Sequence, residues 1–432
     1  MDVGPSSCLL AVGNGNCTVT TSPAPGVTRM VAKLSRGNRV LYVTRPPVDN
    51  ETRQLRFTSA VDDVAGNAMP NRAPQDFQAE LRWTPLVELS TGSSTVEPQP
   101  GLFLKPQPVL TEHVAQVASV NGADAVLVRS GILSACTAPP CPTSTTTLSP
   151  VSSTAFVRPV AFSTGGVDVY QPRPGEVLAF DGGTAAVLPP APGPVFADGR
   201  GGLSTVYLSG PNVRIADFVD GGWDVANELP VQDGGVGAGS VLSAAAAGST
   251  SRTFCVVRRD GNSVRVLTKN PSTGFGQPLF NNPFLGAYQV KDAWVYALST
   301  NAYHVAFMGT DDQPAFIVGF PGDFGSTGNI QYVSSGPLAA FDVVLDPYVS
   351  GPGRWWAVVS QAGQLDLHYT VATQNLTSAT RLTPPGGATS LNANPSCVAA
   401  RPRVVVFEQA VYVAWQEQCA GQPWRVYLRG LQ

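Results

Sequence analysis

The sequence predicts an all-β fold, a β-propeller of seven or eight four-stranded blades. Three observations carry that prediction. Amphipathic helical periodicity is almost absent, while short alternating runs rich in Val, Tyr, Phe, Trp and Thr recur between Gly, Pro, Asn and Asp. From about position 110 these runs cluster with a period of about 40 to 50 residues, the spacing of four-stranded blades. At 432 residues the chain also exceeds what one compact core supports, so it divides into domains or closes into a large repeat architecture.

In chain order, residues 1–110 read as an N-terminal β segment with strand runs at 40–44, 54–58 and 77–83. This segment forms the first blades or, as the alternative, a separate sandwich beside a smaller propeller. Residues 111–432 read as the blades, with unit cores near 113–165, 166–200, 201–240, 250–285, 290–330, 340–385 and 400–432. Hairpins are marked by Asp260-Gly261, by Asp198-Gly199 and by the Asp-Gly-Gly triplets at 181, 220 and 233, where glycine supplies the positive φ of a tight turn. Two turn-rich stretches, 91–108 and 136–154, read as loops without strands. The last two strand runs, VYVAWQE and WRVYLRG, reach almost to the end of the sequence and need a partner, for which an N-terminal strand is the natural choice.

Composition bounds the function. Hydrophobic residues are 43% of the chain and charged residues only 13%, about half the usual share, so the surface is covered by Ser, Thr, Asn, Gln and backbone, as in exported β proteins. A net charge of −3 gives no positive field to recruit nucleic acid or an anionic membrane. No run approaches the roughly 18 apolar residues of a membrane span. No basic and then apolar leader is present, so an exported protein is read here as its mature form. Lysine supplies only Lys33, Lys105, Lys269 and Lys291 among the 27 basic residues, a skew read as a GC-rich bacterial genome.

Seven cysteines can be grouped as three local pairs, Cys8 with Cys17, Cys136 with Cys141 and Cys397 with Cys419, which would leave Cys255 alone; spacing does not fix the connectivity, and the plainer alternative is seven reduced, small core residues. The spacings do not match zinc-binding CxxC pairs, so they point to disulfides in an oxidising, extracytoplasmic compartment: periplasm, outer-membrane surface or medium.

Signature motifs are absent: no GxSxG elbow, Walker A loop, HExxH or EF-hand occurs. With only His113, His304 and His368, a three-histidine zinc site would consume every histidine. No cofactor is expected. The one metal option is Ca²⁺ at Asp311 and Asp312 in the turn GTDDQP, against the plainer reading that these aspartates cap a hairpin.

Aromatics are more suggestive. Arg354, Trp355 and Trp356, with Tyr303 and His304, are the candidate ligand-binding residues, because sugars stack on flat rings while their hydroxyls meet polar side chains. Adjacent strand residues point to opposite faces, so at least one of the two tryptophans is expected inside. The strand rhythm resembles that of the bacterial secreted propellers that include sialidases and lectins. The sialidase Asp-box, SxDxGxTW, does not occur, so the resemblance carries over no catalytic residue.

The sequence thus points to a non-catalytic recognition or scaffold propeller of the bacterial envelope or extracellular space, binding a glycan or an envelope protein. One alternative is a glycosidase-like enzyme with two carboxylates drawn from Glu176, Asp217, Asp342, Asp346, Asp366 and Glu408. The other is a structural subunit of a surface assembly.

Overall fold

A computed structural model describes strands at 17–19, 30–35, 40–44, 52–55 and 75–78. From there it describes residues 83–89, 97–105, 111–120, 123–133, 144–148, 159–181, 184–210, 212–231, 239–248, 252–260, 263–270, 274–275, 289–299, 302–310, 313–321, 330–334, 338–345, 354–371, 379–384, 388–407 and 410–431. The expected features at Cys8, Cys136, Cys141, Asp311, Asp312, Asp346 and Glu408 lie outside the described residues, as do the side chains of Cys17 and Arg354.

The described residues form seven four-stranded antiparallel blades. Blade 1 comprises Gly101–Lys105, Thr111–Val120, Ala123–Gly131 and Ser144–Leu148. Blade 2 comprises Val160–Thr164, Val167–Arg173, Glu176–Asp181 and Thr184–Leu188. Blade 3 follows with Val195–Ala197, Leu203–Ser209, Asn212–Val219 and Gly222–Val231. Blade 4 is built from Gly239–Ala247, Thr253–Asp260, Ser263–Asn270 and Gly274–Phe275. Blade 5 contains Val290–Ser299, Ala302–Gly309, Phe316–Pro321 and Ile330–Tyr332. Blade 6 contains Ala340–Leu345, Arg354–Gln361, Gln364–Val371 and Thr380–Leu382.

Blade 7 departs from the pattern. Its first three strands are Val398–Phe407, Ala410–Gln418 and Arg425–Leu431, and its fourth is Val87–Glu88 from the other end of the chain. The amide of Thr84 donates to the carbonyl of Gly430 at 2.8 Å, and that of Leu89 to Val426 at 2.8 Å, extending the pairing on both sides. An N-terminal strand therefore does complete the last blade. Upstream of it, Cys17–Val19, Met30–Ser35 and Val40–Thr44 make a three-stranded sheet and Thr52–Leu55 pairs with Gln75–Gln78, neither contributing to a blade.

Burial follows from the ring. A blade has a neighbour on each face, so inner strands bury consecutive residues instead of alternating: Val411 to Glu417 are buried without a break, as are Asp168 to Arg173. The core is accordingly divided into seven clusters, one at each junction. Phe103, Val126, Tyr170 and Phe180 join blades 1 and 2, and Phe196, Ile215, Phe254 and Leu267 join blades 3 and 4. The cluster that closes the circle packs Val87, Leu89, Tyr412 and Leu428 of blade 7 against Leu102, Val114 and Leu133 of blade 1.

Polar side chains on second strands fix the crossings between blades. Gln171 accepts from the amide of Val195 at 3.0 Å and donates to the carbonyl of Gly193 at 3.1 Å. Ser360 donates to the carbonyl of Ala399 at 2.7 Å, and Gln416 accepts from the amide of Gln99 at 2.9 Å. Gly193 is confined as well, since a Cβ there would lie 1.8 Å from the carbonyl oxygen of Val206.

Two expectations are corrected. Residues 91–108 and 136–154 each contain a strand, the first and fourth of blade 1. Prolines at 98, 100, 106 and 108 obscure the first, and the second is a run of β-branched threonines whose polarity reads as loop but whose shape suits an outer strand. The hairpin expected at 220 is present: Asp220 and Gly221, at φ 50° and 81°, join the third and fourth strands of blade 3 in the two-residue turn that favours this pair.

If Leu89 belongs to a closing core, Leu89→Ala should cost about 2–5 kcal/mol in urea-induced unfolding, comparable with Leu428→Ala in the same cluster. A cost below about 0.5 kcal/mol, the level of a surface substitution, would mean that 83–89 does not close the ring.

Candidate functional site

In an up-and-down blade all first strands run the same way along the ring axis, so their starting ends share one face. On that face a pocket of about 280 Å³ opens between the first strands of blades 5, 6 and 7 and the segment leading into blade 1. Trp294, Met308 and Phe341, all buried, form its floor. Ala339, Ala340 and Ala400 line its walls with little bulk, and Glu97, Lys291, Arg401 and Arg403 supply the charges.

Trp294 and Phe341 face each other across the junction of blades 5 and 6 with ring centroids 4.6 Å apart, and the Trp294 indole N–H donates to the Tyr296 hydroxyl at 2.5 Å. Arg403 reaches across the start of the ring: its guanidinium donates to the carbonyl of Pro100 at 3.2 Å and of Pro159 at 2.6 Å, tying blade 7 to the strands that open blades 1 and 2. Arg401 forms an ion pair with Glu97. The side chain of Lys291, a half-buried residue at the start of blade 5, makes no hydrogen bond or ion pair with any described residue.

The backbone is unusual at the same place. Four described non-glycine residues have positive φ, and Asp220 and Ala362 are hairpin residues followed by glycine. The other two, Gln99 at φ 49° and Arg401 at φ 48°, each precede a proline beside the pocket. A bulge between Ala400 and Arg403 interrupts the first strand of blade 7 and re-aims its side chains. Four residues before Arg401, Cys397 forms a disulfide with Cys419. Glu417 steadies the same loop by accepting from the amides of Ala393 and Asn394, each at 2.9 Å. Cys255 is free and fully buried, and burial raises its thiol pKa far enough to keep it protonated and unreactive.

The expected aromatic residues lie elsewhere. Trp355 and Trp356 do point to opposite faces of blade 6, but both are fully buried, Trp355 in the junction with blade 5 and Trp356 in the junction with blade 7. The reasoning from alternation assumed one wet face, and an inner strand of a ring blade has none. Tyr303 is buried against blade 4 with its hydroxyl paired to Thr253, while His304 packs edge-on against Trp355 at 4.9 Å. The contact between His304 and Trp355 is made by a tryptophan with no open face, so it offers no stacking surface for a sugar. Sequence reasoning missed the pocket residues, whose signal is spread from position 97 to 403.

Of the carboxylates weighed for glycosidase chemistry, Asp217 is held by both nitrogens of Arg252 at 2.8 and 2.7 Å and by Ser204 at 2.6 Å. Burial pushes its pKa up, but these hydrogen bonds outweigh it and hold the group below its usual range. Asp342 accepts from the amide of Val404 at 3.0 Å, and Asp366 pairs with Arg381 at 2.5 Å. None lines the pocket, where Glu97 is the one carboxylate among the lining residues.

No protein-family model matches the chain, and no curated protein matches it. Among solved structures, a protein of unknown function from Dyadobacter fermentans is similar at 11% identity and a TM-score of 0.47, covering 82% of this chain and 99% of its own. The polysaccharide lyase Uly1 is similar at 10% identity and a TM-score of 0.46, covering 80% and 92%. An α-L-arabinanase from Penicillium chrysogenum is similar at 12% identity and a TM-score of 0.41, covering 81% and 98%. No helix among the described residues is long and apolar enough to cross a membrane.

Burial pushes the His304 pKa down to about 4, from an ordinary value near 6.5. Between those two values the unfolded chain binds the proton and the folded chain does not, so stability falls as pH drops through this window. Burial lowers His113 and His368 in the same direction. His304→Gln should therefore flatten, without abolishing, the loss of stability between pH 6.5 and 4.5, by up to about 1.4 kcal/mol per pH unit. Urea midpoints measured across that range check this, and an unchanged pH dependence would place His304 in contact with water.

Proposed function

We propose that the chain is a non-catalytic recognition propeller of the bacterial envelope or extracellular space that takes a glycan end into the pocket between blades 5, 6 and 7. The observation that carries this is the lining. It combines an aromatic floor and small-residue walls with a few convergent charged groups, the usual composition of a ligand site. Its volume, at the low end for ligand pockets, suits one small ring rather than a polymer lying lengthwise.

An enzyme reading is less well supported. Hydrolysis of a glycosidic bond needs two carboxylates about 5 to 9 Å apart, one to give a proton and one to act as base or nucleophile. The described lining offers Glu97 alone, and Arg401 holds it as an ion pair. The extracytoplasmic assignment is supported by the Cys397–Cys419 disulfide, a bond that persists in oxidising compartments.

The test is a glycan-array screen of the purified, oxidised chain beside Ala340→Trp, which fills the pocket from its wall. The expected result is saturable binding by the parent, its loss in the variant with an unchanged melting temperature, and no shortening of the bound oligosaccharide. Binding that survives Ala340→Trp would move the site elsewhere. Release of shorter products would make the protein an enzyme, and a blank array would remove the glycan reading.

A further inference from the structure

We infer that the pocket selects an anionic sugar, its acidic group held between Lys291 and Arg401 and its ring lying toward Trp294 and Phe341; this rests on the pocket being the ligand site. The lining carries three cationic side chains against one carboxylate, although the chain as a whole has a net charge of −3. The positive field at this mouth is thus local, and it does not follow from a generally basic surface.

The three cations are not equivalent. Arg403 is buried and engaged with two backbone carbonyls, so its task is to hold the blades together. Lys291 lines the cavity as a half-buried residue whose side chain has no partner among the described residues. Such a group can give an anion a charge-assisted hydrogen bond without first releasing a protein partner. It is also one of only four lysines in a chain whose basic residues are otherwise arginine.

Arg401 stands opposite, on a bulge and with a left-handed backbone that a residue before proline rarely adopts. Its pairing with Glu97 neutralises it, and the pair is reachable from the Glu97 side, where the side chain is 41% exposed against 19% for Arg401. An incoming carboxylate or sulfate ester would take the place of Glu97 on the guanidinium and meet the Lys291 ammonium on its other side. Glu97 would then compete with the ligand, acting as a tethered stand-in for the ligand's own acidic group.

That competition gives an effect of unusual sign. Glu97→Gln should tighten the binding of an acidic sugar, whereas a residue that merely supports the fold would, when changed, only weaken it. Lys291→Met should weaken the same binding.

The experiment is calorimetric titration of the full oxidised chain with glucuronate, glucose 6-sulfate and glucose at low and at physiological salt. The expected results are preference for the two acidic sugars over glucose, an affinity that falls with salt, and a loss of about tenfold in Lys291→Met, equivalent to about 1.4 kcal/mol. A gain of several-fold in Glu97→Gln completes the pattern, and the ratio of glucuronate to sulfate affinity tells which oxyanion is preferred. Glucose binding as tightly as glucuronate, with neither variant changing either affinity, would overturn the anionic inference while leaving the pocket as a sugar site. Binding of none of the three would remove both readings. Unchanged melting temperatures of the two variants separate a lost ligand contact from a lost fold, and binding to glucuronate unaffected in both variants would also overturn the assignment.

Discussion

Each blade has two apolar faces to cover, and only a closed ring covers all of them. Six of the seven junctions are supplied by blades that follow one another in the chain. The seventh must join blade 7 to blade 1, and it depends on residues 83–89 folding back as the outer strand beside Arg425–Leu431. The hydrophobic term at that junction is carried by Val87, Leu89, Leu102, Leu428 and their neighbours, all nearly excluded from water. The unbroken burial of inner strands, the two fully buried tryptophans of blade 6 and the polar pins of Gln171, Ser360 and Gln416 follow from the same constraint.

The closing seam also makes the pocket. The segment leading into blade 1 carries Glu97, Gln99 and Pro100, and it is held by Gln416, by Tyr170 and by Arg403 from blade 7. Arg401 meets Glu97 across this seam from a position 304 residues away in the chain. Left-handed backbone at Gln99 and Arg401 is the local cost of joining the two ends, of the order of 1–3 kcal/mol each, and the surrounding hydrogen bonds hold it in place. The Cys397–Cys419 disulfide anchors the start of the bulged strand that carries Arg401. Ring closure and pocket geometry are therefore two consequences of one piece of chain.

Much of the fold was legible because turn chemistry and strand composition are local. The hairpin at Asp220-Gly221 and the need for a partner strand beside the last two strand runs follow from short stretches of sequence, whereas the Cys397–Cys419 bond, one of the groupings the spacing allowed, is fixed only by the fold. What escaped was either masked or non-local. The strand Gly101–Lys105 is hidden among prolines, and the Ala- and Ser-rich strand Gly239–Ala247 has small residues where first strands converge on the axis. For the site, Trp355 and Trp356 drew attention because exposed tryptophan often marks a ligand surface, yet in a ring their strand has no exposed face. Lys291, Ala340 and Arg401 carry no motif, since each is an ordinary residue until the starts of three blades are brought together.

Native-state hydrogen exchange across the seam tests the account most directly, by following peptides spanning 83–89 and those spanning Ala410–Gln418 in blade 7. The amides of Thr84 and Leu89, bonded to Gly430 and Val426, should be as protected as the buried centre of the blade, exchanging only when the whole ring unfolds. Rapid exchange at Thr84 and Leu89 while the centre of blade 7 stays protected would contradict the account: the ring would then be open at the seam, and the pocket built on it would have no fixed shape.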